Sequence, residues 1–254
     1  MVKVLILRTS GTNCDFETEW AFNICGAKAE RVHLLSIING KKNINNYDIL
    51  VIPGGFSYGD DLGAGKVFAN EIKLKIWESI EIFKKSKKPI IGICNGFQVL
   101  VKAGIIPFWG KNSASLTWNN SGRYEDRWVY LKIESSLSPF FKNLPEIIRL
   151  PVAHAEGKFV VKDKITLNKI GKNKQIILKY VKPSGEISGY PYNPNGSQEN
   201  IAGVCDESGL IIGLMPHHER ALLSIHLPDW TRQKREKVFG YGYIILKNMV
   251  EYVS

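Results

Sequence analysis

The stretch KKPIIGICNGFQVLVKAG, residues 87–104, decides how the chain is read. An apolar run from Pro89 to Ile93 gives way within two residues to a segment with helical spacing, Asn95 to Lys102. The turn between them holds Gly92-Ile93-Cys94-Asn95-Gly96. Small residues two positions either side of a nucleophile let a strand bend sharply into a helix. The nucleophile is then exposed at the carboxyl edge of a sheet, facing the first amides of the helix. A buried free cysteine acting as a small hydrophobe is the ordinary alternative. The two glycines and the strand-to-helix setting favour Cys94 as a nucleophile.

The same alternation extends upstream. Val2 to Leu7 precedes a helical pattern from Asp15 to Cys25, and Asp48 to Ile52 precedes one from Gly63 to Lys85. The runs VLIL, ILVI and PIIGI are continuously apolar, as expected of strands buried on both faces, so the chain is predicted to be α/β with a mostly parallel central sheet flanked by helices. After Gly104 come shorter runs, WVYLKI, IIRLPVAH, KFVV, QIILKYV, IAGVC and LIIGLM, separated by turn residues; these predict further strands in the C-terminal half. A closing helix is expected over Tyr241 to Tyr252. No repeat or long linker divides the 254 residues, and one domain over 1–254 is the expectation.

Composition excludes several classes. Hydrophobic residues at 44% and charged residues at 23% describe an ordinary folded protein rather than a disordered one. The start is too short in apolar residues for a membrane span, and no later run supplies one. Four cysteines without CxxC spacing suit reduced thiols in the cytoplasm. The net charge of +10 raises nucleic acid as a partner. The densest cluster, Lys84, Lys85, Lys87 and Lys88, falls where a helix should end before Pro89, and lysines favour the helix dipole there, so neither nucleic acid nor membrane is expected.

A second motif competes with Cys94: Gly55-Phe56-Ser57-Tyr58-Gly59 is a literal G-x-S-x-G after a strand. Its glycine-rich continuation, GDDLGAG, delays any helix, so Ser57 is not expected to be the nucleophile. Gly54 and Gly55 suit backbone support of an oxyanion instead. A cysteine acting on an amide needs a base and a group to orient that base. Two His-x-acid patterns follow apolar runs, His154-Ala155-Glu156 and His217-His218-Glu219, and in an extended segment residues two apart share a face. Spacing alone leaves both open. LIIGLM reads as more central than IIRLPVA, whose Pro151 suggests a sheet edge or a strand end, and this favours His217. His33 and His226 lack a comparable acid and read as structural. A metal at His217, His218 and Glu219 is not expected, because adjacent residues of an extended chain point to opposite faces and no HExxH or Cys pair accompanies them.

With these residues in place, the sequence resembles the class I glutamine amidotransferases, whose elbow reads G-x-C-x-G-x-Q with a His-x-Glu toward the C-terminus. Gly92, Cys94, Gly96, Gln98, His217 and Glu219 fill that pattern. Within the family it is most similar to the branch that feeds ammonia to an ATP-dependent synthetase acting on formylglycinamide ribonucleotide in purine biosynthesis. That similarity runs through SGTNCD, PGGFSYGDDLGAG, LTWNNSGRYEDRWV, AHAEGKF, GYPYNPNGSQENIAG and GLMPHHER, in order along the chain. Ser135 to Glu146 and Val160 to Val181 lie outside it. The resemblance implies a Cys94–His217–Glu219 triad, oxyanion donors near Gly55 and Asn95, and Gln98 in the glutamine pocket, with His154 and Glu156 lining the site. It further implies a large synthetase subunit, a small accessory subunit, and ATP and Mg²⁺ held by the synthetase, with no cofactor or metal on this chain. Two positions depart from the pattern: His218 replaces a usual proline, and RTSG (8–11) replaces a proline-containing start. The alternatives are another cysteine amidotransferase or peptidase of similar fold, and a non-catalytic regulatory subunit.

Overall fold

Hydrophobic continuity and glycine placement build one large sheet. The structure, a computed structural model, describes residues 1–232 and 238–254. In chain order the elements are β1 (Lys3–Arg8), α1 (Asp15–Ile24), β2 (Lys28–His33), α2 (Leu34–Ile38), β3 (Ile49–Ile52), α3 (Lys66–Glu71), α4 (Trp77–Lys85), β4 (Ile90–Ile93) and α5 (Asn95–Lys102). They continue with β5 (Ala114–Thr117), β6 (Glu125–Ile133), β7 (Ile147–His154), β8 (Lys158–Val161), α6 (Lys164–Lys172), β9 (Ile176–Val181), β10 (Ile201–Cys205), β11 (Ile211–Leu214) and α7 (Tyr241–Tyr252).

Nine strands form the sheet in the order β2-β1-β3-β4-β11-β10-β9-β6-β7, and β5 pairs with β8 in a separate ribbon. From β2 to β11 every pairing is parallel; from β11 to β7 every pairing is antiparallel. The expected α/β architecture with extra C-terminal strands is therefore observed. β3, β4 and β11 are buried along their whole length, which is why they read as unbroken apolar runs. β11 lies between β4 and β10 while β7 is terminal, so the ranking drawn from Pro151 matches the strand order.

Two expectations need correction. The helix anticipated from Gly63 begins at Lys66, because Gly63 and Gly65 hold φ of 94° and 72°, outside the helical region. It is also interrupted by a π turn at Ile72–Ile76 before α4. The lysine cluster sits, as read, at the end of α4, where Lys88 Nζ also donates to the carbonyls of Asn45 and Tyr47.

The parallel half places the carboxyl ends of β1, β3, β4 and β11 side by side, the edge at which open α/β sheets bind ligands. The antiparallel half returns β7 to that edge, where Pro151 O accepts from His217 N at 2.8 Å.

Candidate active site

Each residue at the sheet's carboxyl edge is positioned by a strand end. Cys94 follows β4 and adopts φ 49°, ψ −101°, a strained geometry of the order of 1–3 kcal/mol for a side chain bearing Cβ. Its amide donates to Leu214 O at 2.7 Å, tying the elbow to β11. The flanking glycines are required by contact: a Cβ on Gly92 would lie 2.6 Å from the Gly96 carbonyl carbon, and one on Gly96 would overlap Ile52 O. The Cys94 sulfur lies 3.5 Å from Ala153 O of β7.

His217 follows β11 and is buried together with Glu219. Its Nδ1 is 2.5 Å from Glu219 Oε1. Nε2 is buried without a hydrogen-bond partner among the described residues, and the ring interacts with the sulfurs of both Cys94 and Cys14. Burial alone would lower the imidazole pKa, but the Glu219 carboxylate and then Cys94 raise it well above the usual value. Burial would raise the Glu219 pKa, and His217 holds it low. An acid-oriented imidazole beside a thiol can take a proton from sulfur and return it to a leaving group.

The other His-x-acid pattern does not form such a pair. Glu156 turns its carboxylate to the amide of Ala64, 3.2 Å from each oxygen, and to Lys102 Nζ at 3.4 Å. His154 Nε2 lies 3.5 Å from Asn195 Nδ2, and burial depresses its pKa to about 3. Geometry thus separates two patterns that spacing left equivalent. Both residues nevertheless line a cleft of about 270 Å³ that also meets Gly55, Asp60, Gln98 and Cys94.

The glycine loop after β3 closes over the elbow. Thr12 pairs with Gly55 through Phe56 N to Gly11 O and Cys14 N to Gly54 O, a pattern that takes no hydrogen bond from the Gly55 amide. Asn95, first residue of α5, has an amide without an intrahelical acceptor. Its side chain is a brace: Oδ1 accepts from Ser57 N at 3.2 Å, and Nδ2 donates to Gln98 Oε1 at 2.9 Å and Asp60 Oδ1 at 3.2 Å. Gln98 Nε2 in turn donates to Glu156 O at 2.6 Å. Ser57 is buried as the first residue of a short 3₁₀ turn, Ser57–Asp60, in which Tyr58 and Gly59 leave the helical region, and the next α-helix begins only at Lys66. His33 caps α2 by accepting from Leu35 N, and His226 lies beside Trp20.

Sequence reasoning missed Cys14, Glu17 and Arg220. Arg220 Nε donates to Glu17 Oε1 at 2.7 Å and Nη2 to Cys14 Sγ at 3.3 Å, next to His217. Position along the chain gave the only available signal: Cys14 follows β1 at the same edge as Cys94. Ligand atoms of Cys14, Glu17, His217 and Glu219 lie within 4.8 Å of one another, so among the described residues the potential metal donors include His217 and Glu219 but not His218. His218 is buried with both ring nitrogens unpartnered among the described residues.

Comparison with known proteins agrees with this architecture. The profile of the CobB/CobQ-like glutamine amidotransferase domain matches residues 1–253. A Methanococcus maripaludis protein named phosphoribosylformylglycinamidine synthase subunit PurQ is 42% identical over 268 residues, covering 99% of this chain and 97% of its own length. A Dehalococcoides mccartyi protein of the same name is 44% identical over 253 residues, with 99% and 97% covered. Among solved structures, a chain in the structure of PurLQS from Thermotoga maritima superposes with a TM-score of 0.75 at 30% identity, covering 100% of this chain and 99% of that one. The chain belongs to the CobB/CobQ-like glutamine amidotransferase family.

Proposed function

We propose that this chain is the glutaminase subunit of phosphoribosylformylglycinamidine synthase, a single glutamine amidotransferase domain over residues 1–254 that works in the cytoplasm. The observation that carries the reading is the buried His217 ring, set between the Glu219 carboxylate at 2.5 Å and the Cys94 thiol at the strand-to-helix elbow. The names and coverage of the relatives support the pathway. Four free cysteines support a reducing compartment, and no helix among the described residues is long and apolar enough to cross a membrane.

In the reaction, Cys94 sulfur attacks the side-chain amide carbon of glutamine while His217 Nε2 takes the thiol proton. The oxyanion forms against the free amides of Gly55 and Asn95. Collapse of this intermediate breaks the C–N bond, and His217 gives its proton to the departing ammonia. Water then cleaves the γ-glutamyl thioester, with His217 as base, so that glutamine and water yield glutamate and ammonia. Glu219 fixes the imidazole tautomer and balances its charge. Gln98, Gly55, His154 and Glu156 line the cleft for the amino acid; Gly54, lacking a side chain, lets His217 approach. The partners are a large synthetase subunit, which uses the ammonia with ATP and Mg²⁺ to aminate formylglycinamide ribonucleotide, and a small accessory subunit. Absence of a GK[ST] phosphate loop here is consistent with ATP on the partner.

The test reconstitutes the complex and measures synthesis from glutamine and from ammonium, in wild type and Cys94→Ala. Loss of the glutamine-dependent rate with the ammonium-dependent rate retained is expected. Equal activity of the variant with glutamine would overturn the reading.

A further inference from the structure

Cys14 lies beside the His217 ring in the same cavity as the nucleophile and has no part in the reaction as derived. It shares a small cavity of about 90 Å³ with His217, Cys94, Asn13 and Arg220. Gly54 makes the meeting possible, since a Cβ there would stand 2.9 Å from His217 Cε1 and 3.0 Å from Cys14 Sγ. One donor atom each from Cys14, Glu17, His217 and Glu219 falls within a 4.8 Å span. His217 is 2% exposed and its Nε2 has no hydrogen-bond partner among the described residues.

We propose that Cys14 Sγ, a Glu17 carboxylate oxygen and His217 Nε2 form an inhibitory site for a thiophilic divalent cation, with zinc the best fit. The inference rests on the role assigned to His217 above. A thiolate, an imidazole and a carboxylate are the donors zinc takes, with the fourth position left to water or to Cys94. Glu219 on Nδ1 supplies the outer carboxylate that orients a metal-bound histidine and raises its basicity. Ligands about 2.0–2.3 Å from a tetrahedral zinc stand roughly 3.3–3.8 Å apart, so donors of a cluster that falls within 4.8 Å must draw together by up to roughly 1.5 Å. Binding replaces the Cys14 S–H bond with an S–Zn bond and releases the proton to solvent. The catalytic imidazole can then neither accept from Cys94 nor donate to ammonia.

A cation already satisfies two of these donors. The Arg220 guanidinium spans Glu17 at 2.7 Å and Cys14 at 3.3 Å, and its side chain is 38% exposed, so it can leave toward solvent. Zinc and Arg220 therefore compete for the same donors. Removing the arginine charge should tighten metal binding, and Cys14→Ser separates this site from zinc held by Cys94 and His217 alone.

The experiment titrates the purified full chain with cobalt(II), following the sulfur-to-cobalt charge-transfer band, and assays glutaminase in the reconstituted complex across buffered free zinc. Each variant is referred to its own zinc-free rate. Wild type is expected to show the band and reversible inhibition relieved by chelator. Cys14→Ser, nearly isosteric, is expected to weaken both by at least about tenfold; Glu17→Gln weakens them less, and Arg220→Gln strengthens them. Unchanged cobalt affinity and zinc inhibition in Cys14→Ser would overturn the proposal and place the metal on Cys94. The cobalt titration needs no turnover, so a chain that bound cobalt through Cys14 but never hydrolysed glutamine would refute the proposed function and leave the metal site standing.

Discussion

His217 Nδ1 and Glu219 Oε1 are 2.5 Å apart, and both side chains are all but closed to water. Two residues of separation place them on one side of the segment leaving β11, and burial makes the carboxylate the strongest influence raising the imidazole pKa. Glu219→Gln keeps the shape and removes the charge. Burial then dominates, and the His217 pKa falls. We expect kcat/KM for glutamine to drop by about 10²–10⁴, with the His217-dependent limb of its pH profile displaced to lower pH. A rate profile over pH 5 to 9 checks both; an unmoved limb would mean that Glu219 does not tune the base.

Gly54 governs how closely the imidazole and the Cys14 thiol approach. An added methyl group would meet His217 Cε1 at 2.9 Å, and the ring is held at the neighbouring Nδ1 by Glu219, so relief requires the ring to turn against that contact. Gly54→Ala is expected to lower kcat by roughly tenfold to a hundredfold, as small misplacements of a catalytic group do. Thermal unfolding should change far less than the rate. A variant with wild-type kcat would show that the loop yields instead.

The elbow glycines make a stability prediction. Gly92 faces α5, where a Cβ would be 2.6 Å from the Gly96 carbonyl carbon and 2.7 Å from Leu100 Cδ1. Backbone on one side and a buried leucine on the other cannot both retreat. Gly92→Ala should therefore destabilise the chain by about 2–3 kcal/mol in denaturant titration, the upper range for overpacking.

These contacts also explain what the sequence could and could not reveal. β3, β4 and β11, and Val4 to Leu7 within β1, were legible because a stretch buried on both faces has no polar positions. The Cys94 elbow was legible because a sharp turn demands small residues at fixed offsets. β2 was missed because KAERVH is a sheet edge whose Glu30 and Arg31 reach water, leaving only Val32 fully buried. α6 was missed because Ile170 is its single buried side chain. His154 and His217 have equivalent local spacing, and the distinction lies in where Glu156 turns, toward Ala64 and Lys102 from distant parts of the chain. Cys14 and Arg220 meet across 206 positions, a contact that no local pattern encodes.

Lys102 clamps the glycine loop from the end of α5. Its ammonium donates to Ala64 O at 2.6 Å and pairs with Glu156 at 3.4 Å, while Glu156 accepts the Ala64 amide. Lys102→Met keeps most of the apolar stem and leaves Glu156 without its countercharge. A loss of about 3 kcal/mol in stability is expected from stranding a mostly buried carboxylate. The loosened cleft should raise KM for glutamine several-fold while kcat changes less, which steady-state kinetics can resolve.

His218 carries the clearest pH signature. Burial pushes its pKa down to about 4, against a smaller upward pull from Glu219, so the folded chain holds it neutral near neutral pH. In the unfolded chain it titrates near 6.5. As pH falls below 6.5 the unfolded state takes up a proton that the folded state refuses, and stability is lost progressively until about pH 4. From pH 7.5 to 5.5 this single group removes about 1.3 kcal/mol. His218 opens a short 3₁₀ turn, and its amide donates no hydrogen bond among the described residues, so proline is compatible there. His218→Pro should lose about 1.3 kcal/mol less than wild type between those two pH values, while His154, depressed to about 3, weakens both proteins alike. Denaturant titrations at pH 7.5 and 5.5 measure the difference; equal losses in the two proteins would mean that His218 takes up its proton in the folded state.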